Sequence, residues 1–347
     1  MPHQKAFATM SAPSLMDDLV EQILLRLQPE DPACLVRASL VCKPWCRLLA
    51  GSVFRRCYRE FHRRPHLLGF LQILHGGEPY HSRFVPTSVF LPDEPDLPKW
   101  LVVDCHHGRA LFVKTNPNIE GTLDLVVWDP MTKDRPRLVP QPSLEPEDYT
   151  DCTAAVLCAT EGCHHCGCGG GPFRVAFLST DRENGVTSAR LYSSVTGAWN
   201  ELTSVHHDPR ANVHFAASVL VGDALYFRGI RNSIFEYQLR TSRLSLLDAL
   251  PLARYSGRLM TGEDGGLGFA AMDGTTLTLW LRETSTSPEG ADAWTQGRVI
   301  DLKTLLPGYE LVDSSFGLQH SWMPVASVIG FSEGTDVIFV GTLAKGR

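Results

Sequence analysis

Cysteine and histidine residues are concentrated in one short segment, and their spacing could support metal binding. Cys163, His164, His165, Cys166 and Cys168 lie within the sequence TEGCHHCGCGGGP. Cys163 and Cys166 have the CxxC spacing that lets two thiolates bind one tetrahedral zinc ion. No second pair of ligands follows at a suitable distance, and the neighbouring glycines raise the entropic cost of ordering a site. We therefore expect no resident metal and no cofactor, with Cys163, Cys166 and Cys168 as the weak candidates for a metal site.

Other polar residues do not form a catalytic pattern. The pairs His106-His107 and His206-His207 could line a sheet face, but adjacent strand residues point to opposite sides. His214 and His320 are lone histidines, which ordinary hydrogen bonds explain. Five aspartates lie mostly beside Gly, Pro or Ser, where turns explain them: Asp104, Asp129, Asp223, Asp273 and Asp313. No GxSxG, P-loop or GxGxxG stretch has the strand-to-helix setting it requires. The sequence therefore predicts a non-catalytic chain.

Residues 14–61 contain three helical patterns that are rich in apolar residues. Ser14 is a candidate N-cap, and leucine and isoleucine then recur at helical spacing through Leu27. Asp31 followed by Pro32 is a second helix start, and Pro44 allows a third helix that runs to Tyr58. A segment this short is near the lower size limit for an independent core. We expect part of its apolar surface to be buried against another molecule or the next domain.

This segment resembles an F-box, the module that docks substrate receptors onto the Skp adaptor of cullin-type ubiquitin ligases. The resemblance rests on LMDDL at 15–19, ILLRL at 23–27, VCKPW at 41–45, Leu48-Leu49 and Phe54. The family usually has proline where Met16 and Gln28 stand. The resemblance implies that eight apolar side chains contact the adaptor: Leu15, Leu19, Ile23, Leu27, Leu35, Val41, Trp45 and Leu48.

After Pro65 the pattern changes to short apolar runs separated by Gly, Pro, Asp and Asn, which predicts many short strands. A repeat is present, because four aromatic residues each end an apolar run and precede a threonine by four positions: Trp128, Tyr192, Tyr237 and Trp280. An upstream strand of each repeat also carries an aromatic: Phe112, Phe177, Phe227 and Phe269. This spacing is typical of β-propeller blades, and a β-sandwich or an irregular β domain is the alternative.

A fifth strand around Phe339 has no partner strand before the sequence ends at Arg347. Either the early strand at Leu67 to Leu71 closes the ring, or the chain is a shortened gene product. The β region also resembles the kelch-like domain that accompanies the F-box in a large plant family. That resemblance rests on WDPMT at 128–132, TGAW at 196–199 and GDALYF at 222–227.

The predicted fold class is α+β and multidomain, a three-helix F-box followed by an all-β, kelch-like β-propeller, with its completeness at the C-terminus left open. The expected boundaries are a flexible N-terminus at 1–13, the F-box at 14–61, a linker at 62–66 and the β domain at 67–347. A Cys/His/Gly-rich loop at 161–172 interrupts the β domain.

Composition excludes several other classes of protein. The chain has 347 residues, 44% of them hydrophobic and 20% charged, with a formal net charge of −6, so we expect no nucleic-acid partner. One basic cluster has two interpretations, a nuclear-import or nucleic-acid patch and the solvated face of a helix joining two domains, and Glu60 within it favours the second: Arg55, Arg56, Arg59, Arg63 and Arg64. No run of eighteen apolar residues predicts a membrane span, and the first thirteen residues lack a signal peptide's apolar core. We expect an intracellular protein, in the cytoplasm or the nucleus, with mostly reduced cysteines.

The two resemblances together imply a substrate-receptor subunit of an SCF-type (Skp-cullin-F-box) ubiquitin ligase. Its partners would be the Skp adaptor, the cullin and RING subunits reached through it, and an unknown target protein. The target would be held for ubiquitination and proteasomal degradation. The alternatives are a propeller enzyme (oxidase or glycosidase-like) and a non-degradative scaffold or decayed family member.

Overall fold

The computed structural model describes most of the chain. The described ranges are residues 16–29, 32–62, 67–74, 81–87, 100–115, 123–132, 135–142, 151–160, 163, 170–247, 256–283, 293–305, 326–332 and 337–342. The chain divides into two compact units, residues 1–68 with 86–90, and residues 69–85 with 91–347. The first unit is helical and the second is almost entirely β, so the predicted order of a few helices followed by an all-β body is confirmed. The finer domain boundaries stay a prediction.

The helical unit has four helices among its described residues, where three were predicted. They are α1 (Asp17–Leu24), α2 (Pro32–Val41), α3 (Lys43–Ala50) and α4 (Ser52–His62). The prediction of one helix from Pro44 to Tyr58 was wrong, because Gly51 has an extended backbone with φ −67° and ψ 139° that separates α3 from α4. The second start at Pro32 is confirmed.

The first helix begins at Asp17, so the prediction of Ser14 as its N-cap was wrong. Met16 is the N-cap, with an extended backbone at φ −63° and ψ 140° and no hydrogen bond from its side chain. The Met16 carbonyl accepts hydrogen bonds from the amides of Leu19 and Val20. Backbone geometry alone therefore starts this helix, two residues later than the capping pattern indicated.

A small apolar core holds the four helices together. Five buried side chains form it: Val20, Leu24, Leu25, Ala38 and Phe54. The Tyr58 hydroxyl of α4 donates to the Leu27 carbonyl at 2.6 Å, and the His62 ring lies 2.8 Å from the Leu25 carbonyl oxygen. These bonds fix the turn after α1 against α4, because they satisfy carbonyls that the helix end leaves free.

Among its described residues, the β body has four antiparallel sheets of at least four strands, in chain order. The first sheet has β3 (Trp100–His106), β4 (Arg109–Thr115), β5 (Leu123–Trp128) and β6 (Arg137–Val139). The second has β7 (Cys152–Cys158), β8 (Phe173–Asp181), β9 (Val186–Ser193), β10 (Ala198–Trp199) and β11 (Thr203–His206), the last two both pairing with β9.

The third sheet has β12 (Val219–Val221), β13 (Ala224–Arg228), β14 (Ile234–Gln238) and β15 (Arg243–Leu247). The fourth has β16 (Ser256–Thr261), β17 (Leu267–Asp273), β18 (Thr276–Glu283) and β19 (Ala293–Asp301), which the short helix α5 (Leu302–Leu305) follows. Two hairpins flank the four sheets: β1 (Gly69–Leu74) with β2 (His81–Pro86), and β20 (Ala326–Phe331) with β21 (Ile338–Thr342).

The aromatic repeat of the sequence is confirmed strand by strand. The downstream aromatics all lie on the third strand of a sheet: Trp128 on β5, Tyr192 on β9, Tyr237 on β14 and Trp280 on β18. The upstream phenylalanines all lie on the second strand: Phe112 on β4, Phe177 on β8, Phe227 on β13 and Phe269 on β17. The Cys/His/Gly segment lies between β7 and β8 in the chain. It accounts for the separation of 64 residues between Trp128 and Tyr192, compared with 45 between Tyr192 and Tyr237.

Successive sheets pack face to face through separate apolar clusters. The first and second sheets share a cluster that includes Leu125 and Phe177, and the second and third share one that includes Leu178 and Phe235. Phe269 lies between the third and fourth sheets, and Val328 packs between the fourth sheet and the last hairpin. The first strands of neighbouring sheets lie next to one another, as for β3 with β7 and β16 with β20. This arrangement fits a β-propeller, in which inner strands surround one axis.

The first hairpin contacts both ends of this series of sheets. Phe84 of β2 packs edge-on against Trp128 of the first sheet, with ring centroids 6.2 Å apart. The Ser82 hydroxyl accepts a hydrogen bond from the Val102 amide at 2.7 Å. On the other side, the Phe70 ring of β1 lies 5.5 Å from the Phe339 ring of β21. The fifth predicted strand around Phe339 is therefore present.

Candidate functional site

The helical unit exposes a row of apolar side chains on the face opposite its core. Met16, Leu19 and Ile23 follow one another at helical spacing along α1 and are 67%, 48% and 50% exposed. Val36 and Leu40 form a second exposed row on α2. Scattered apolar side chains are normal on a surface, but contiguous rows usually mark a surface that binds another protein.

The eight side chains predicted to contact an adaptor fall into two groups by exposure. Leu19, Ile23 and Val41 are exposed and available to a partner. Four others pack partly against the core of the unit itself: Leu27, Leu35, Trp45 and Leu48. Leu15 lies outside the described residues. The structure thus places three of the eight on the outer surface, while four have a role in the fold of the unit.

A buried polar cluster lies where the first three sheets meet, and the sequence did not indicate it. Asp104 on β3 accepts a hydrogen bond from the Val156 amide of β7 at 3.1 Å. It accepts another from the Ser218 amide, just before β12, at 3.0 Å. His106 lies 3.0 Å from the Ser218 hydroxyl and 3.5 Å from the Asp104 carboxylate. Assigning Asp104 to a turn was therefore wrong, because its carboxylate is buried in a strand and joins three sheets.

Burial is the main influence on the pKa of Asp104 in this cluster. Desolvation raises the pKa of Asp104 above its ordinary value, although His106 and the bonds from Ser218 and Val156 act in the opposite direction. The raised pKa indicates that the loss of water outweighs the polar contacts.

Asp104, His106 and Ser218 have the residue types of a hydrolytic triad but not its geometry. The same ring nitrogen of His106, Nε2, is the one near both Ser218 Oγ and Asp104 Oδ2. A triad instead uses the two ring nitrogens separately, one to orient the ring and one to take the serine proton. All three side chains are also buried. We interpret this cluster as a structural connection among the sheets.

The remaining histidine and aspartate candidates are separated by the fold. His107 occupies a turn with φ 53°, and its Nδ1 accepts a hydrogen bond from the Cys158 amide at 3.1 Å. His207 bonds to Thr187 at 2.7 Å and lies far along the chain from that turn. Asp129 accepts a bond from the Met131 amide at 3.0 Å, as expected for a turn residue. His320 and Asp313 lie outside the described residues.

The cysteine segment is described in part. Cys163 is half-buried, and Cys166 and Cys168 lie outside the described residues. No group of three His, Cys, Asp or Glu side chains that could hold a metal ion occurs within the described ranges. On the preceding strand, burial raises the pKa of the Cys152 thiol to about 11, so this side chain is protonated at neutral pH.

Comparison with known protein families finds an F-box domain at residues 13–57, which includes α1, α2, α3 and the first half of α4. No curated protein sequence matches the chain. No helix in the described ranges has the length and apolar character needed to span a membrane.

Several solved structures resemble the chain loosely. A chain from a study of two prolyl endopeptidases is 13% identical, with a TM-score of 0.32, over 59% of this chain and 28% of that one. A chain of the mitotic checkpoint complex is 14% identical, with a TM-score of 0.34, over 57% of this chain and 54% of that one. The fucose-recognising fungal lectin of Aleuria aurantia, a six-bladed β-propeller, is 14% identical, with a TM-score of 0.35, over 68% of this chain and 72% of that one.

The chain thus spans 28% and 54% of the first two of these structures. With TM-scores of 0.32 to 0.35, none of these likenesses carries an argument about function. The description of the β body rests on its own strand order and register.

Proposed function

We propose that this chain is a substrate-receptor subunit of an SCF-type ubiquitin ligase, with its helical unit bound to a Skp adaptor. The observation that supports this most is the exposed row of Met16, Leu19 and Ile23 within a segment that matches the F-box domain. Burying a large apolar side chain at an interface contributes about 1.5–3 kcal/mol, so a few such anchors suffice for a stable complex.

The β body would hold the target protein in this proposal. We infer that it is a propeller of the kelch-like type found in plant F-box proteins, with the first and last hairpins closing the ring. The contact between Phe70 and Phe339 supports this closure. Loops between strands of such a body vary freely while the sheets stay rigid, which suits target recognition.

The chain would contribute proximity rather than bond-making chemistry. A receptor that binds the adaptor and the target at once raises the effective concentration of a target lysine beside the ubiquitin-charged conjugating enzyme. The cullin and RING subunits would be reached through the adaptor. We expect the protein to act inside the cell, without a cofactor of its own.

Co-expression with a Skp adaptor, followed by size-exclusion chromatography, tests this proposal. We expect the wild-type chain to co-elute with the adaptor in equimolar amounts. The double substitution Leu19→Ala/Ile23→Ala should weaken the complex at least about tenfold, because both exposed side chains lose their buried contact. Leu138→Ala is a matched control, since Leu138 is an exposed leucine of the β body, and it should leave co-elution unchanged.

Circular dichroism of the double variant must show an intact helical signal, because both substituted side chains lie outside the core of the helical unit. A folded wild-type chain that never co-elutes with the adaptor would refute the proposed function. Equal binding by the double variant would show that α1 does not form the contact.

A further inference from the structure

Two arginines and a histidine lie close together where the third sheet approaches the fourth. Residues 212–214 run antiparallel to residues 228–230, with Val213 opposite Gly229. The His214 amide donates to the Arg228 carbonyl at 2.9 Å, and the Ile230 amide donates to the Asn212 carbonyl at 2.7 Å. These two bonds place His214 directly opposite Arg228, at the end of β13.

Arg228 is held in position by the neighbouring sheet. Its Nη1 donates to the carbonyl of Gly257 on β16, and its guanidinium lies 5.6 Å from the ring centroid of Phe269. A side chain at Gly257 would overlap the Ala270 carbonyl and the Phe269 ring, so glycine at this position lets the Phe269 ring pack against β16. The guanidinium is therefore preorganised rather than freely mobile.

Arg258 follows Gly257 directly and adds a second guanidinium, which is half-buried. Desolvation lowers the pKa of the His214 ring most. The nearby guanidinium groups of Arg228 and Arg258 lower it further. Within the described part of the chain, no carboxylate forms an ion pair with Arg258 or His214. Asp151, the carboxylate that accepts a hydrogen bond from the neighbouring Asn212, pairs with Arg182.

The surface next to this cluster suits a peptide. Phe215 directly follows His214, and Ile230 lies two residues after Arg228. These apolar residues are 37% and 38% exposed, so apolar surface is available near the cluster. The chain as a whole carries a formal net charge of −6, so a concentration of positive charge here is a local feature. Guanidinium groups bind the oxygens of carboxylates and phosphates in a paired geometry.

We propose that His214, Arg228 and Arg258 form a binding site for an oxyanion carried on a peptide, a carboxylate or a phosphate of the target protein. This inference rests on the proposed receptor function and gives the chemical class of the target segment. The fixed arginine, Arg228, positions the anion, and Arg258 and the exposed His214 complete the contact. Phe215 and Ile230 contact the apolar residues beside the anionic one.

Fluorescence anisotropy of the full-length chain with three labelled peptides tests the site. The probes are hexaglutamate, a glycine-serine peptide with one phosphoserine, and neutral hexaglutamine. We expect one or both anionic peptides to bind and hexaglutamine not to bind, and the pattern identifies carboxylate or phosphate as the preferred group. Arg258→Gln should weaken that binding roughly 10- to 100-fold, because it removes a charged hydrogen-bond partner.

Matched variants make this result specific to the site. Arg298→Gln is the control, since Arg298 is an exposed arginine of the fourth sheet that pairs with Glu263, and its substitution should leave the affinity unchanged. Arg258→Lys should retain part of the affinity because it keeps the charge. His214→Gln, at an exposed position, gives a second test that does not depend on the stability of Arg258→Gln.

This inference would be overturned if neither anionic peptide bound the wild-type chain. It would also be overturned if wild type, Arg258→Gln and His214→Gln bound with equal affinity. Adaptor co-elution, measured on the same samples, separates the two proposals. A wild-type chain that binds the adaptor but not the anionic peptides refutes the anion site alone. A chain that binds the anionic peptides but not the adaptor refutes the receptor function and leaves the anion site standing.

Discussion

Asp104 and Ser218 lie far apart in the chain and hydrogen-bond to each other in the centre of the β body. Asp104 also accepts the Val156 amide, so one carboxylate satisfies backbone donors from two other sheets. Such donors would otherwise stay unpaired in the interior, at a cost of about 1–3 kcal/mol each. At the scale of single residues, this cluster therefore stabilises the region where the inner strands meet.

The first prediction concerns the pH dependence of this stabilisation. Burial raises the pKa of Asp104, so the folded state holds its proton more tightly than the unfolded state does. Stability from this group is full below its ordinary pKa of 3.8 and falls as the pH rises through the higher folded pKa. The free energy of unfolding of wild type, relative to Asp104→Asn, should therefore decrease as the pH increases from acid to neutral.

Urea unfolding of both proteins across this pH range measures that difference. Asp104→Ala provides the second comparison and should lose roughly 2–5 kcal/mol at any pH, since it leaves the amides of Val156 and Ser218 without an acceptor. A relative stability of wild type that increases with pH would instead show that the charge pair with His106 outweighs desolvation.

At the scale of elements, the first helix has two apolar faces with different roles. Val20 and Leu24 enter the core of the helical unit, while Leu19 and Ile23 face outward. Trp45 of α3 belongs to the core group, because it packs partly against the buried cluster. The F-box resemblance named both groups as adaptor contacts, and exposure now distinguishes them.

The second prediction follows from this distinction. Trp45→Ala should lower the stability of the helical unit by about 1–3 kcal/mol, because it removes part of a half-buried aromatic side chain. Val41→Ala, at a 64% exposed position, should change stability by less than about 0.5 kcal/mol. Thermal unfolding followed by the helical circular dichroism signal compares the two.

If Trp45→Ala instead keeps wild-type stability and loses the adaptor, the tryptophan is a contact residue and its packing contributes little to the fold.

At the scale of the whole β body, the arrangement of the ends decides whether the sheets form a ring. The four large sheets pack in chain order, and the two hairpins lie at the two ends of that series. Phe84 joins the first hairpin to the first sheet, and Phe70 joins it to the last hairpin. Closure of this kind protects edge strands that would otherwise promote aggregation.

The third prediction tests this closure by a double-mutant cycle on Phe70→Ala and Phe339→Ala. A direct ring contact should give a coupling energy of about 0.5–1.5 kcal/mol. The matched cycle uses Phe70→Ala with Phe269→Ala. Phe269 lies in the cluster between the third and fourth sheets, which does not include Phe70, so the two substitutions should be additive within about 0.5 kcal/mol. Additivity of Phe70 with Phe339 would indicate that the ring is open in solution.

The sequence alone determined the order of the two parts and about half of the described strands. The Asp31-Pro32 start signal predicted the start of α2 at Pro32, and the repeated aromatics predicted the second and third strands of four sheets. Such patterns are local, because periodicity and turn residues act over a few neighbours. The cap at Ser14 and the single helix after Pro44 failed because the backbone at Met16 and Gly51 decided those boundaries.

Only the tertiary structure determined the roles of residues that act across sheets. Asp104 reaches donors on two other sheets, and His214 lies opposite Arg228 and near Arg258. Nothing in their local sequence distinguishes these residues from turn or surface residues. Their burial and their partners depend on which sheets pack together, and that packing arises from apolar contacts between residues far apart in the chain.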